Sequence, residues 1–374
     1  MKRNLLIALF TIASFVGVFF LANYLSDHKV GVHAHLSKAI YWIESLFNTE
    51  QEIQQPLVEN KHVFIKPEPQ YQHVEVGNIK TCKHTSLGEI KYKKTGNVYT
   101  WVDERGISNF SSTPPNNADF KQLNYAENKI FDYFSLDLNT ENLPYDFNQK
   151  LSIKLHKLFE LYGKLLDVSK LRKVDINLRV FASKNTFNQV KLNHKMPLKD
   201  NTLGFYSHSN NQAYLLFTTN NRTMKTAIHE ATHAINRGII GYSNNWLNEG
   251  LAEYSEYIEV VGKYGRVYPN QDWTNNNKVS AQLLPLSVLI GATHKEWNSN
   301  LKTRLYASSW AFVYFMMDNK QRKSMLSKFI KSEQQNLCNV IPKNNFEKVI
   351  GLSINNLQKQ FNVWSRSKFK VHTI

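Results

Sequence analysis

The segment Thr226-Ala-Ile-His229-Glu230-Ala-Thr-His233-Ala-Ile235 has the spacing H-E-x-x-H, and the rest of the chain is interpreted around it. Residues four apart in an α-helix lie one turn apart on the same face, so His229 and His233 would point two imidazoles at one place. This arrangement suits a tetrahedral zinc ion. Glu230 leaves the helix at another angle and is placed to act as general base toward a metal-activated water.

The flanking sequence predicts the helix that this spacing requires. Capping residues precede it, at Asn220, Asn221 and Thr223. An apolar stripe runs along it, formed by Met224, Ala227, Ile228, Ala231 and Ile235. Arg237 followed by Gly238 is a helix-stop signal.

A second acidic helix is predicted in the stretch N-W-L-N-E-G-L-A-E-Y at residues 245–254. A catalytic zinc usually takes three protein ligands, and we predict Glu249 as the third. Glu253 and Glu256 share its face at i+4 and i+7, and we expect Glu253 to hydrogen-bond a ligand histidine. Gly250 lowers helix propensity, and we expect it to let this helix approach the H-E-x-x-H helix closely.

H-E-x-x-H followed by W-L-N-E-G-L-A-E-Y resembles the gluzincin zinc metallopeptidases of the peptidase MA-like superfamily, over about residues 145–374. The resemblance implies that Glu249 is a zinc ligand and that Glu253 orients the first histidine, with Glu253 as the alternative ligand. It also implies that Gln212–Phe217 is an edge strand that pairs with an extended peptide. H-E-x-x-H alone occurs by chance in surface helices, but a capped helix followed by an acidic second helix argues against chance.

The fold class that these features predict is α+β. A zincin-like domain over residues 144–374 would contain a small mixed sheet, the H-E-x-x-H helix and a helical C-terminal subdomain. Apolar spacing predicts a helix over 151–166, alternation predicts a strand over 174–181, and residues 204–217 are expected to form a hairpin turning at Asn210-Asn211.

The N-terminal part has a different character. Lys2 and Arg3 precede an uncharged run over Leu5–Leu25, which is long enough to span a bilayer. We predict a membrane anchor over residues 1–25, with a cleaved signal sequence as the alternative. Residues 26–79 are expected to be a spacer, and both interpretations send the following chain across the membrane.

Residues 80–116 are expected to form a small β domain, and residues 117–143 a linker. Val98–Val102 and Ile107–Phe110 predict a hairpin, with Asp103 as a turn residue. The pattern Y-x-W-V-D-x-x-G followed by F-S-x-x-P-P resembles a small bacterial envelope domain of unknown function. That resemblance implies an extracytoplasmic setting in a Gram-negative bacterium.

The composition adds few constraints on function. The formal net charge of +16 favours anionic surfaces, but no nucleic-acid-binding motif accompanies it, so no specific nucleic-acid partner is expected. The two cysteines, Cys82 and Cys338, do not form a metal-binding pattern; they either pair or remain free thiols.

Tyr306 is a further candidate, on a helix predicted over Leu305–Met317. Gluzincins commonly use a Tyr or His across the cleft to donate a hydrogen bond to the oxyanion, and Tyr306 resembles that group. The alternative is a core aromatic with its hydroxyl hydrogen-bonded nearby. His294 and His208 are weaker candidates for the same task.

The function implied is a zinc metallopeptidase, with Zn²⁺ as cofactor and a protein or peptide as substrate, cell-wall-associated substrates included. Its location would be the bacterial inner membrane, single-pass, with the C-terminal domain in the periplasm, or the periplasm itself after signal cleavage. The alternative function is a catalytically inactive binding or scaffolding protein of the envelope. An intact Glu230 argues against that alternative, since a binding protein needs no base there.

Overall fold

The chain divides into two units, Met1–Pro67 and Glu68–Ile374, and all described residues belong to the second. The computed structural model describes residues 72–73, 86–94, 98–103, 107–111, 119, 121–123, 129–140, 143–196, 202–274, 283–336 and 339–374. The predicted anchor over residues 1–25 and both cysteines lie outside these ranges. No helix in the described part is long and apolar enough to cross a membrane.

The fold is α+β, and its centre is a five-stranded sheet. The strands are β2 (Ser86–Gly88), β8 (Phe134–Thr140), β9 (Lys173–Phe181), β10 (Gly204–Ser207) and β11 (Gln212–Leu216). β9 pairs in parallel with β8 and with β11, while β10 is antiparallel to β11. β9 buries every second side chain, which is the pattern that its alternating sequence predicts.

Three further sheets have three strands each. One contains β1 (Gln72–His73), β3 (Lys91–Lys94) and β7 (Lys129–Asp132), and another contains β4 (Val98–Val102), β5 (Ser108–Ser111) and β6 (Lys121–Leu123). The third contains β12 (Ile258–Val261), β13 (Tyr264–Val267) and β14 (His372–Thr373). The β4–β5 hairpin is as predicted, and Asp103 accepts a hydrogen bond from the Ile107 amide across its turn.

Eleven helices occur within the described ranges. Their bounds are α1 Phe147–Leu166, α2 Lys184–Asn193, α3 Asn220–Ile239, α4 Asn245–Ser255, α5 Gln271–Thr274, α6 Leu286–Gly291, α7 His294–Trp297, α8 Lys302–Met317, α9 Lys320–Gln335, α10 Phe346–Ile350 and α11 Ile354–Trp364. α3 packs against β9 of the sheet and against α4, and α4 packs against α8. α8 is apolar on nearly all sides because it lies at the centre of the helical part.

The linker expected over residues 117–143 contains β6, β7 and β8 instead. β8 is part of the central sheet because Phe134, Leu136 and Leu138 alternate with polar residues and pack on the core. β2 comes from the segment assigned to the small β domain, yet it pairs with β9. The sheet of the C-terminal domain therefore draws on strands from both of these N-terminal segments.

Candidate metal centre

The helix α3 presents the H-E-x-x-H motif from a buried position. The Thr219 side chain caps it by accepting a hydrogen bond from the Arg222 amide, one residue before the predicted caps. The helix continues through Gly238, the predicted stop, and the chain turns at Gly241, whose φ of 93° favours glycine. The cap thus lies one residue before the predicted capping residues, and the helix ends at Ile239, one residue beyond the predicted stop.

His229, His233 and Glu249 form a buried cluster that can hold a metal ion. Nε2 of His229 lies 3.5 Å from Oε2 of Glu249, and Nε2 of His233 lies 3.6 Å from the same oxygen. Two ligands, each ~2.1 Å from one zinc ion at tetrahedral angles, lie ~3.4 Å apart, so these separations fit a shared cation. α4 delivers the carboxylate as the sequence predicted.

Glu249 Oε2 provides an independent test of this fit. The atom is buried and has no hydrogen-bond partner in the described part of the protein. A buried carboxylate oxygen without a donor is costly, and a cation between it and the two imidazoles would remove that cost. The donor set of two imidazoles and one carboxylate is that of a catalytic zinc site.

A second group of residues, His229, Glu253 and Glu256, also lies within metal-binding distance. Here, however, Nδ1 of His229 is hydrogen-bonded to Oε1 of Glu256 at 2.7 Å. Oε2 of Glu253 accepts hydrogen bonds from Asn270 Nδ2 at 3.0 Å and from Trp273 Nε1 at 2.8 Å. These contacts occupy the atoms that a second ion would need.

The structure corrects the role expected for Glu253. Glu256, not Glu253, accepts the hydrogen bond from the ring of His229. Glu256, the C-cap of α4, keeps helical backbone angles and so stays on the acidic face one turn beyond Glu253, whose carboxylate is held instead by Asn270 and Trp273. Glu256 was placed on the acidic face by its i+7 spacing, but spacing alone could not rank it above Glu253.

The charges around His229 reinforce one another. Burial alone would lower the pKa of His229, but the carboxylates of Glu249 and Glu256 outweigh it and raise the pKa well above the usual value. Burial, followed by the charge of Glu256, raises the pKa of Glu253 to about 8. Burial and the neighbouring carboxyl groups therefore disfavour the ionised form of Glu253, and a bound cation would relieve this.

Glu230 lies beside the histidines, with its carboxylate against β10. An added Cβ at Gly204 would lie 3.1 Å from Glu230 Oε1 and 2.6 Å from Thr226 Cγ2, so only glycine fits there. Burial raises the pKa of Glu230 to about 8. Gly204 is a functional position that the sequence analysis did not single out; its sole signal was a glycine at the start of a strand.

A cleft of about 440 Å³ opens beside these residues. Its lining includes His229, Glu230, Tyr306, Gly204, Arg222 and Trp273. The edge strand that borders it is β10, because β11 pairs on both sides, with β10 and β9. The prediction that Gln212–Phe217 is the edge strand is therefore wrong.

Tyr306 reaches this cleft from α8. It is half-buried, with its ring 5.6 Å from that of Trp297, and burial followed by the charge of Glu249 raises the pKa of its hydroxyl well above the usual value. His294 is exposed on α7, where it contacts Asn298, and it does not line the cleft. His208 is exposed in the β10–β11 turn, with its ring 4.9 Å from that of Tyr206.

Gly250 lies at a close approach of α4 to a neighbouring helix, but this neighbour is not the H-E-x-x-H helix that was expected. Its Cβ position lies 2.6 Å from both Ser309 O and Val313 Cγ2, so the close approach is to α8 rather than to α3. α3 and α4 are joined instead by Asn236, whose amide donates to Asn248 Oδ1 at 2.9 Å.

Comparison with models of known protein families gives no match, and comparison with curated proteins gives no significant match.

Proposed function

We propose that this protein is a zinc-dependent hydrolase of peptide bonds. The observation that carries the proposal is the convergence of His229 Nε2 and His233 Nε2 on one buried, unpartnered oxygen of Glu249. The resemblance of the two motif helices to gluzincins supports the same function. A zinc ion held there would supply Lewis acidity, which activates a water and polarises the scissile carbonyl.

The chain's own residues have separate tasks in this reaction. Glu230 takes the proton of the attacking water on its carboxylate and passes it to the leaving amine nitrogen. Glu256 holds the Nδ1 proton of His229, which leaves Nε2 free as an electron-pair donor. Tyr306 is placed to donate a hydrogen bond to the oxyanion that forms at the carbonyl.

The peptide substrate is proposed to lie along β10. Within the described ranges this strand has no partner on the side away from β11, so its backbone groups are free to pair with an extended chain. Gly204 brings the strand against Glu230, so a peptide paired there passes the general base. This geometry favours a polypeptide over a small compact substrate.

The test is metal content together with hydrolysis of peptides. The purified protein should contain one zinc ion per chain and cleave a peptide library, and a chelator should remove both properties. Glu230→Gln should retain zinc and lose hydrolysis, which would separate catalysis from simple metal binding. A wild-type protein that takes up no zinc would refute the proposal, and one that holds zinc but cleaves nothing would favour a binding protein.

The envelope location remains a prediction from residues 1–25 and is proposed here on that basis. A reporter enzyme active only outside the cytoplasm, fused after residue 130, should be active. Signal from a reporter that works only in the cytoplasm, fused at the same point, would reverse the orientation and exclude an envelope substrate.

A further inference from the structure

Arg237 is a buried cation without an anion. Its side chain lies on α3, and only 8% of the residue is exposed. Nη1 is buried with no hydrogen-bond partner, and no carboxylate of the described residues lies within 4.0 Å of the guanidinium. The guanidinium stacks on the Tyr242 ring, whose centroid is 3.7 Å from Cζ. A charge held in this way is costly unless an anion joins it.

Arg322 is a second stacked arginine of this protein, and it does have polar partners. Its guanidinium also stacks on a ring, that of Phe315, at 4.1 Å. There, however, Nε donates to the Phe315 carbonyl at 2.8 Å and Nη2 lies 3.7 Å from Asp318. The two arginines therefore share cation–π stacking, and they differ in that Arg237 lacks acceptors.

The position of Arg237 relates it to the metal centre. It lies one helical turn beyond His233 and two beyond His229, on the same face of α3. The axial distance from the midpoint of the histidine pair is ~9 Å, from a rise of ~1.5 Å per residue. An extended peptide advances ~3.3 Å per residue, so that distance corresponds to about two or three residues of substrate.

Arg237 lies near the end of β10, since its charge acts on the pKa of both Tyr206 and His208. Tyr206 on β10 has its ring 6.5 Å from that of His233. Partial desolvation and the positive charge of Arg237 both lower the pKa of His208. Asp175, whose charge also acts on Tyr206, already accepts hydrogen bonds from Asn177 and Asn211. The fold thus leaves the charge of Arg237 available to a ligand.

We propose that Arg237 binds a carboxylate of the substrate, two or three residues from the scissile bond. This inference rests on the proposed function, and it defines the substrate class as peptides with an acidic group at that distance. The planar guanidinium offers paired N–H donors that match a carboxylate, and the Tyr242 ring holds its plane. The carboxylate is either an acidic side chain or the α-carboxylate of a chain end.

Binding to the full-length Glu230→Gln protein tests this without turnover. Labelled peptides with a single Glu scanned along a Gln background would be compared, each as the C-terminal acid and as the amide. We expect one Glu position, or the C-terminal acid, to bind about 10- to 100-fold more tightly, the range for a charge-assisted hydrogen bond. A preference for Glu identifies a side chain, and a preference for the acid over the amide identifies a chain end.

Adding Arg237→Met to that protein should reduce the preference to nearly nothing, and Arg237→Lys should restore part of it. Arg322→Met is the matched control and should leave the preference intact. Equal affinity for the Glu, Gln, acid and amide peptides, or a preference that survives Arg237→Met, would overturn the proposal. Absence of all peptide binding would overturn it as well.

Thermal unfolding gives a second readout that a purely structural arginine would not show. Without ligand, Arg237→Met should be at least as stable as wild type, because it removes an unpaired buried charge. Arg322→Met should be less stable, because it leaves Asp318 without its partner. Glutarate, compared with chloride at equal ionic strength, should stabilise wild type more than Arg237→Met. A loss of stability in Arg237→Met equal to that in Arg322→Met would contradict the proposal.

The two proposals fail in different ways. If no peptide is cleaved but the carboxylate preference depends on Arg237, the hydrolase proposal fails and the binding site remains. If peptides are cleaved and kcat/KM is the same for Glu and Gln versions, the hydrolase proposal remains and the role of Arg237 is refuted.

Discussion

The two sides of the histidine pair differ in what fills them. On the front, defined as the side of the Nε2 atoms, both imidazoles face one unpartnered carboxylate oxygen of Glu249. On the back, the side of the Nδ1 atoms, Glu256 holds His229, while Nδ1 of His233 is buried without a partner in the described part of the chain. The front thus offers the electron-pair donors that a metal ion needs. On the back, within the described part of the chain, only the ring of His229 is held by a hydrogen bond.

The largest expected effect concerns the front. Glu249→Ala should abolish zinc binding, because it removes one of three ligands and leaves two imidazoles alone. Metal content after gel filtration, measured by mass spectrometry, checks this. Glu253→Ala is the control and should keep its zinc, since its carboxylate is committed to Asn270 and Trp273. Zinc lost from Glu253→Ala but kept in Glu249→Ala would reverse the assignment.

Tyr306→Phe tests the front at the level of catalysis. The change removes the hydroxyl and keeps the ring beside Trp297. If the hydroxyl serves the oxyanion, kcat should fall about 10²–10³-fold with little change in KM. Steady-state kinetics on a zinc-replete, folded variant decides this, and unchanged turnover would assign Tyr306 to packing against Trp297.

Glu256→Gln tests the back. Removing a group that orients a ligand histidine typically weakens metal binding about 10- to 100-fold, and the same range is expected here. Competition with a zinc-binding dye measures the affinity. Glu253→Gln serves as the comparison and should have the smaller effect, because Glu253 makes no hydrogen bond to the His229 ring. Equal losses in both variants would show that the back acts through its total charge rather than through one hydrogen bond.

The sequence predicted the front well because its geometry is local. Four-residue spacing on α3 places His229 and His233 together regardless of the rest of the fold. The length of chain before Glu249 then sufficed to bring α4 back. The back was assigned to Glu253 instead of Glu256, because the choice depends on the tertiary partners of each carboxylate, Asn270 and Trp273 for Glu253 and His229 for Glu256, which periodicity does not encode.

The strands show the same limit. Alternation correctly predicted β9 and the β10–β11 hairpin, but it could not show which hairpin strand pairs with β9. β8 was assigned to a linker because its region of the sequence is polar as a whole, whereas its pairing with β9 along its whole length makes it part of the core. The tertiary structure decides which strands pair. The edge strand was therefore the part of the candidate site that was hardest to predict from the sequence.

The smallest expected effect concerns α4, which carries Glu249 of the front and has Glu256 of the back as its C-cap. Gly250 lies on α4 between Glu249 and the pair Glu253 and Glu256, against the backbone of α8. A methyl group there would meet Ser309 O at 2.6 Å, and a backbone atom in a packed helix does not move aside easily. Overpacking typically costs about 1–3 kcal/mol, while replacing a helical glycine by alanine returns about 1 kcal/mol.

Gly250→Ala should therefore lower the free energy of unfolding by up to about 2 kcal/mol, which follows from the difference of those two effects. Denaturant unfolding of the zinc-free protein measures it. Gly163→Ala on α1 is the matched control, since its added methyl group would meet only the side-chain atoms Val168 Cγ2 at 3.1 Å and Leu171 Cδ1 at 3.7 Å, which can adjust. It should be neutral or slightly stabilising.

Because α4 would be pushed away from α8, Gly250→Ala should also shift Glu249 and Glu256 together relative to α3. It should therefore weaken zinc binding through both sides at once. A variant that loses stability but keeps full zinc affinity would show that the Asn236–Asn248 contact alone holds α4 in register with α3.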